Sequence, residues 1–413
     1  MTTIGPSSWD PTTLQSIFDA GADVFRLNYS HGEPEQKTEL YERIRSMETE
    51  QRKTCILADL PGPKLRLGEF DGVKLLNNGE SIRLLCGKMN HDGEEIPVEY
   101  DGLSADLKPG DSILVADGLI RLSVTKTGGE KGSFIDCLVE DGGPVTSRKG
   151  INLPGNTIDL PAIGEKDKLA LDHALKTGAD WIAVSYVRSA EDLRPAKDAV
   201  KAAGLHTPII AKIEHPAALQ NLHSILDVAD AVMVARGDLG VEIPLERVPL
   251  AQQKIIDAGL MRGMVVIVAT QMLESMTLNP RPTRAEVSDV STAIRHGGTA
   301  VMLSGETASG KHPVAAVETM VRIATATEEG LDSSGGTPGV LSKFRSTRAV
   351  AHAGVELARA ASAKHIIVAT QHGNAPRLVT GYRPDVVVTA VTDRIRAARR
   401  MNLLPGVKSV IVK

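Results

Sequence analysis

Apolar residues fall into short continuous runs, separated by stretches in which they recur every three or four positions. The runs are "TTIG", "DVFRLNYS", "TCILADL", "DWIAVSYV", "PIIAKIE", "AVMVARGD", "MVVIVATQM" and "TAVMLSGE", eight in all. Continuous rather than alternating apolar strands are buried on both faces, and spacers such as Lys166 to Thr177 and Leu245 to Met261 predict amphipathic crossover helices. Eight parallel strands with crossover helices predict a (β/α)8 TIM barrel.

The third and fourth runs are separated by something different. From about Glu69 to Lys149 the pattern is short alternating strands with turn signals at Asn78-Gly79, Asp101-Gly102 and Asp117-Gly118, which predicts a small inserted β domain. After the eighth run comes "GLDSSGGTPG", a flexible linker by composition, and then "HIIVATQ", "DVVVTAV" and "VKSVIVK", which predict a short α/β segment. The expected organisation is a barrel over 1–68 and 150–329, a β lid over 69–149, a linker over 330–344 and a partial C-terminal α/β domain over 345–413.

Composition narrows the function. Lys and Arg number 47 against 51 Asp and Glu, and aromatics make up 3% of the 413 residues, so neither a global field nor stacking platforms favour nucleic acid. No run approaches the length of a membrane span, and no targeting segment opens the chain, so a cytoplasmic protein without membrane partners is expected. Cys55, Cys86 and Cys137 lie far apart in apolar settings without zinc spacing and are expected to be buried thiols.

In barrels of this type chemistry gathers at the C-terminal strand ends. Those ends carry Arg26, Asn28 and Ser30 on the second strand, Asp59 on the third, Ser185 on the fourth, and Lys212 with Glu214 on the fifth. The sixth carries Arg236 and Asp238, the seventh Thr270 and Gln271, the eighth Ser304 and Glu306. One charged strand end is usually a solvated rim, but a ring of them is not. The strand period of two puts Lys212 and Glu214 on one face, as it does Arg236 and Asp238. Two carboxylates at neighbouring strand ends suit Mg²⁺, and Lys212, Arg26 and Arg236 in the same mouth would neutralise a phosphoryl group in transfer. The residues alone therefore propose a Mg²⁺-dependent enzyme acting on a phosphate compound.

Two tempting motifs carry less. "GETASGKH" falls short of a phosphate loop, because His312 stands where a hydroxyl residue would hold Mg²⁺. "PTRAE" places Thr283 three residues before Glu286, a capping box opening a helix.

"RLNYSHG", "RKGINLPG", "AKIEHP", "VMVARGDLGVEIP", "ATQMLESM", "PRPTRAEVSDV" and "MLSGETASGKHP" together resemble the pyruvate kinase family, in its order and with its inserted lid. The resemblance implies transfer of the phosphoryl group of phosphoenolpyruvate to ADP. It assigns Mg²⁺ to Glu214 and Asp238, and stabilisation of the transferring group and the enolate to Lys212. Arg26 would meet the phosphate, the backbone at Gly237 and Asp238 with Thr270 would hold the carboxylate, and Thr270 would relay the proton. Asn28, His31, Arg66 and Lys149 match nucleotide-contacting positions, Arg284 matches a subunit interface, and a homo-oligomer, dimer or tetramer, is implied.

The sequence also departs from that pattern. Asn28, Ser30, Asp59 and the carbonyl of Leu60 match the family's K⁺ site, yet Lys64 replaces a nearby glutamate and Leu60 a threonine. An ammonium there can supply the missing charge, so K⁺ is not expected to be required. "TQHGNAPRL" offers few donors to a sugar bisphosphate, and "SVIVK" ends the chain where family members continue, so no such activation is expected. Met1 falls within the first strand, and one barrel edge is expected to be weakened. Two other classes bear on the same residues: a catalytically degenerate binding or regulatory subunit, and a Mg²⁺-dependent lyase. Retention of Lys212, Glu214, Asp238 and Thr270 argues against the first, and the lid with Arg66 and Lys149 against the second.

Overall fold

The computed structural model describes residues 1–116, 118–156, 160–331 and 345–412. Eight parallel strands neighbour one another in chain order: β1 (Thr2–Ile4), β2 (Val24–Asn28), β3 (Cys55–Asp59), β4 (Trp181–Val184), β5 (Ile209–Ile213), β6 (Ala231–Ala235), β7 (Val265–Ala269) and β8 (Ala300–Met302). The sheet closes where Thr2 bridges Leu303 and the Thr3 amide donates to the Leu303 carbonyl at 3.1 Å. Strands β3, β5, β6 and β7 are buried at every residue, as their unbroken apolar runs require, and the chain is a TIM barrel. The three-residue β1 is held from both sides: the Thr3 hydroxyl donates to Leu303 at 2.8 Å, and the Thr307 hydroxyl donates back to Thr3 at 2.8 Å.

The crossover helices follow their periodicity, with one break. The stretch from Leu245 opens as a 3₁₀ turn, Leu245–Arg247, before the helix Val248–Leu260, because Pro249 lacks the N–H of an interior position and fits only a first turn. Thr283 and Glu286 form the expected capping box at the head of the helix Arg284–Arg295.

Between β3 and β4 the chain builds a seven-stranded sheet and a two-stranded ribbon around a separate core that includes Leu84, Val98, Ile113, Ile135 and Cys137. This sheet takes in Leu65–Arg66 and Gly150–Asn152, which the sequence reading left in the barrel. The two passes of chain through the neck run antiparallel and pair, so the turn signals begin only beyond them. Of the turn signals, Asp117 lies outside the described residues, as does the linker from 332 to 344.

At the other end of the barrel, three parallel strands, His365–Ala369, Val387–Thr392 and Val407–Ile411, carry a small α/β layer. Met401, Leu403 and Leu404 pack into the apolar cluster under the strand starts, and Arg399 grips Glu48 with two bonds of 2.7 and 2.9 Å. All three cysteines are free and buried, and burial raises each thiol's pKa, that of Cys86 to about 11 and that of Cys137 to about 12. Among the described residues no helix is long and apolar enough to cross a membrane.

The barrel floor rests on one buried ion pair. Asp180 meets Arg45 at 2.7 Å and accepts the Ile56 amide at 2.8 Å, tying the helix Pro34–Ser46 to β3 and β4, while burial pushes its carboxyl pKa up. Removing the cation would leave that carboxylate buried and uncompensated. Arg45→Met is expected to lower unfolding stability by about 3 kcal/mol in urea titration, with substrate KM values unchanged.

Candidate active site

The register of β2 on β3 sets Asn28 beside Asp59 and Arg26 beside Leu57. Arg26 therefore reaches Asp59 along the strand tops, its Nε donating at 2.6 Å, while a second nitrogen donates to the Thr3 hydroxyl at 3.0 Å. From β5, Lys212 extends to the same carboxylate at 3.2 Å, to Glu214 at 2.9 Å and to the Ser185 hydroxyl at 2.7 Å. Two cations and two carboxylates thus interlock across three strands, with Asp59 and Glu214 each 1% exposed.

Their charge states follow from that packing. Burial raises and the two cations lower the Asp59 pKa, and the cations win, so Asp59 stays ionised. Burial opposes the Lys212 charge, but Asp59 and Glu214 outweigh it and hold its pKa above the ordinary lysine range. Glu214 goes the other way: burial and the nearby Asp238 carboxylate raise its pKa despite Lys212.

That imbalance suits a bound cation. Glu214 Oε1 has the Lys212 ammonium 2.9 Å away and no other partner, which leaves it room to meet a second cation. Asp238 opens the helix Arg236–Glu242 with its side chain 32% exposed, and its ion pair is a loose one with Lys64 at 3.9 Å. Two carboxylates with free lone pairs suit Mg²⁺, which completes its shell with water and substrate oxygens. Among the described residues no three His, Cys, Asp or Glu side chains gather as a denser metal group.

Strand β7 ends in a strained turn, with Thr270 and Gln271 both in left-handed backbone at φ 69° and 52°. Arg236 holds that turn: it donates to the carbonyls of Thr270 at 2.8 Å and Gln271 at 3.2 Å and pairs with Asp289 at 2.7 Å. It therefore braces the scaffold and does not share the mouth with Arg26 and Lys212, because β6 ends at Ala235 and the helix turn redirects it. Thr270, so fixed, accepts the Gly237 amide at 2.6 Å. A Cβ on Gly237 would stand 3.3 Å from the Thr270 hydroxyl and crowd it. Glu306 likewise turns inward to the amides of Leu273 and Ser304 at 3.0 and 2.7 Å and is structural.

Of the residues matched to K⁺, Asn28 lies beside Asp59 in the strand register, the Ser30 amide donates to Asn28 Oδ1 at 3.0 Å, and the Leu60 carbonyl accepts Ser185 at 2.7 Å. The Lys64 ammonium stands 3.9 Å from Asp238. Of the residues matched to nucleotide, Arg66 and Lys149 come together at the neck because Arg66 pairs with Gly150, and His31 lies exposed on the loop after β2. Burial and then Arg66, Lys64, Lys37 and Arg26 push the His31 pKa down.

Sequence reasoning missed a network behind Glu214. The Tyr186 amide donates to Glu214 at 2.8 Å, its hydroxyl donates to Glu242 at 2.7 Å, and Asn152 from the inserted sheet donates to both Tyr186 and Glu242 at 2.9 Å. The available signal was the spacing of Asp238 and Glu242, one helical turn apart in "GDLGVE". A cavity of about 280 Å³ lies at the opposite end of the barrel, around Met264 and Arg383, away from this chemistry.

Comparison with known proteins gives the family. A model of the pyruvate kinase barrel domain matches residues 1–317, and one of the pyruvate kinase alpha/beta domain matches 348–413. The chain is 40% identical to a pyruvate kinase of Mycobacterium tuberculosis over 413 residues, which is 99% of this chain and 86% of that protein. It is 42% identical to one of Corynebacterium glutamicum over 380 residues, 91% of this chain and 78% of that protein. A crystal structure of a pyruvate kinase from Cryptosporidium parvum superposes with a TM-score of 0.91 at 34% identity, covering 100% of this chain and 86% of the other. By sequence over nearly its whole length and by fold, this chain belongs to the pyruvate kinase family.

Proposed function

We propose that this chain transfers the phosphoryl group of phosphoenolpyruvate to ADP, giving pyruvate and ATP, with Mg²⁺ required and K⁺ dispensable. The observation that carries the reading is the interlocked Arg26, Asp59, Lys212 and Glu214 cluster at the strand tops, charged before any substrate arrives. Glu214 and Asp238 would hold Mg²⁺, which supplies positive charge to the phosphoryl oxygens when bound.

Arg26, braced by Asp59 and Thr3, would turn its remaining N–H groups to the phosphate. Lys212 stays an ammonium through the reaction, so it would stabilise the transferring group and the enolate oxygen without giving up its proton. The Gly237 and Asp238 amides at a helix start, with the Thr270 hydroxyl, would hold the substrate carboxylate, which takes the place of the present Gly237–Thr270 hydrogen bond. Thr270 would then pass the proton that converts enolpyruvate to pyruvate. Asn28, His31, Arg66 and Lys149 would line the nucleotide, and Asn152 links the lid's neck to the Glu214 network.

Lys64 supports the K⁺-free reading, since its ammonium already acts on Glu214 and Asp238. Three buried free thiols suit a reducing cytoplasm. Exposed Arg284, within "PTRAE", and Leu278, just before it, suit a homo-oligomer contact.

Pyruvate formation is expected with Mg²⁺ present and K⁺ replaced by tetramethylammonium, and Lys64→Glu is expected to introduce a K⁺ requirement. A strict K⁺ dependence of the unmodified chain would overturn this part. Lys212→Met should lower kcat by about 10³-fold with the phosphoenolpyruvate KM changed far less, in steady-state assays at saturating Mg²⁺.

A further inference from the structure

Lys37 on the helix Pro34–Ser46 is 5% exposed, yet among the described residues no carboxylate or other acceptor pairs with its ammonium. Its one aromatic contact is marginal, 5.9 Å from the centre of the Tyr29 ring. The stem is covered while the ammonium reaches the surface without a partner of its own, which leaves it open to a ligand. The position is specific: a Cβ built on Gly32 would stand 3.5 Å from the Lys37 Nζ, so the ammonium lies directly under the loop that carries His31.

The surroundings are positive. Arg66, Lys64, Lys37 and Arg26 all act on His31, and burial together with Arg26 pushes the Lys37 pKa down to about 8. Arg26 and Lys212 have carboxylate partners, whereas Lys37 has none. An anionic ligand is the group that would relieve this field, and the loop above Lys37 carries His31, one of the residues matched to nucleotide.

We propose that Lys37 is a nucleotide-binding residue that contacts the phosphates of ADP from beneath the His31–Gly32 loop. The assignment rests on the proposed kinase activity for its choice of nucleotide. Lys37 adds to the contacts assigned to Asn28, His31, Arg66 and Lys149 and acts on ADP, not on phosphoenolpyruvate.

The test compares Lys37→Met and Lys37→Arg with the unmodified chain, using steady-state kinetics, calorimetric titration with Mg²⁺ and ADP, and thermal unfolding. In Lys37→Met the KM and Kd for ADP should rise about tenfold, while kcat and the phosphoenolpyruvate KM stay within about twofold. Lys37→Arg should restore most of the ADP affinity. The Tm of Lys37→Met should be equal or higher, because the covered stem is kept and only an unpaired charge is removed. ADP affinity of the unmodified chain should also fall as pH rises through about 8, a limb absent from Lys37→Met. The neighbouring tyrosines and histidines move away from that range: Tyr29 is pushed up to about 12 by burial, burial raises Tyr41 well above its ordinary value, and burial lowers His31 and His173 below theirs, while the Arg26 guanidinium also faces Lys37.

Unchanged ADP affinity in a folded Lys37→Met, a lowered Tm with ADP affinity intact, or an effect on phosphoenolpyruvate instead would each overturn the assignment. Absence of pyruvate formation by the unmodified chain would sink the kinase reading, and the ADP titration would still decide for or against Lys37.

Discussion

Asp59 is the residue on which the mouth of the barrel depends. One carboxylate, 1% exposed, receives Arg26 from β2 at 2.6 Å and Lys212 from β5 at 3.2 Å. Without it Arg26 would keep only Thr3 and Lys212 only Glu214 and Ser185, so both would hold their positions less firmly and Lys212 its proton less tightly. With it, positive charge is fixed where a phosphoryl group would pass, with little reorganisation left for the reaction. Such buried ion clusters add little net stability, because desolvation consumes most of the Coulombic gain, and so their retention points to function.

The second constraint is backbone geometry. Thr270, Gln271 and Tyr186 all sit in left-handed backbone at strand ends. Each is fixed by a neighbour: Arg236 grips the Thr270 and Gln271 carbonyls, and Glu214 accepts the Tyr186 amide. Strain of this kind persists only where the surroundings overdetermine it. Here the surroundings are the charged side chains that strand periodicity had suggested were all meant for ligand.

That division explains what was legible in the sequence. The barrel was legible because eight apolar runs buried on both faces have few other arrangements, and the inserted sheet because alternating strands with Asn-Gly and Asp-Gly turns read differently. The convergence of Arg26, Asp59, Lys212 and Glu214 followed from strand parity alone. Arg236 and Glu306 share that parity yet turn inward, since β6 ends at Ala235 and a helix begins at Arg236, while Glu306 lies in the short helix Gly305–Ala308 that caps its own loop. Lys37 was illegible for another reason: a lysine on a polar helix reads as solvated surface, and only packing shows that it is covered. The pairing at the lid's neck was hidden because two short strands, far apart in sequence, carry no turn between them.

The most direct test of the account is the pH dependence of pyruvate formation by Asp59→Asn at saturating ADP and Mg²⁺. The substitution keeps the shape and removes the charge that holds the Lys212 proton. The account predicts that kcat of the unmodified chain holds to the alkaline end of the range, while Asp59→Asn loses activity at distinctly lower pH as Lys212 deprotonates. A profile for Asp59→Asn that coincides with the unmodified one would contradict the claim that this carboxylate governs the site.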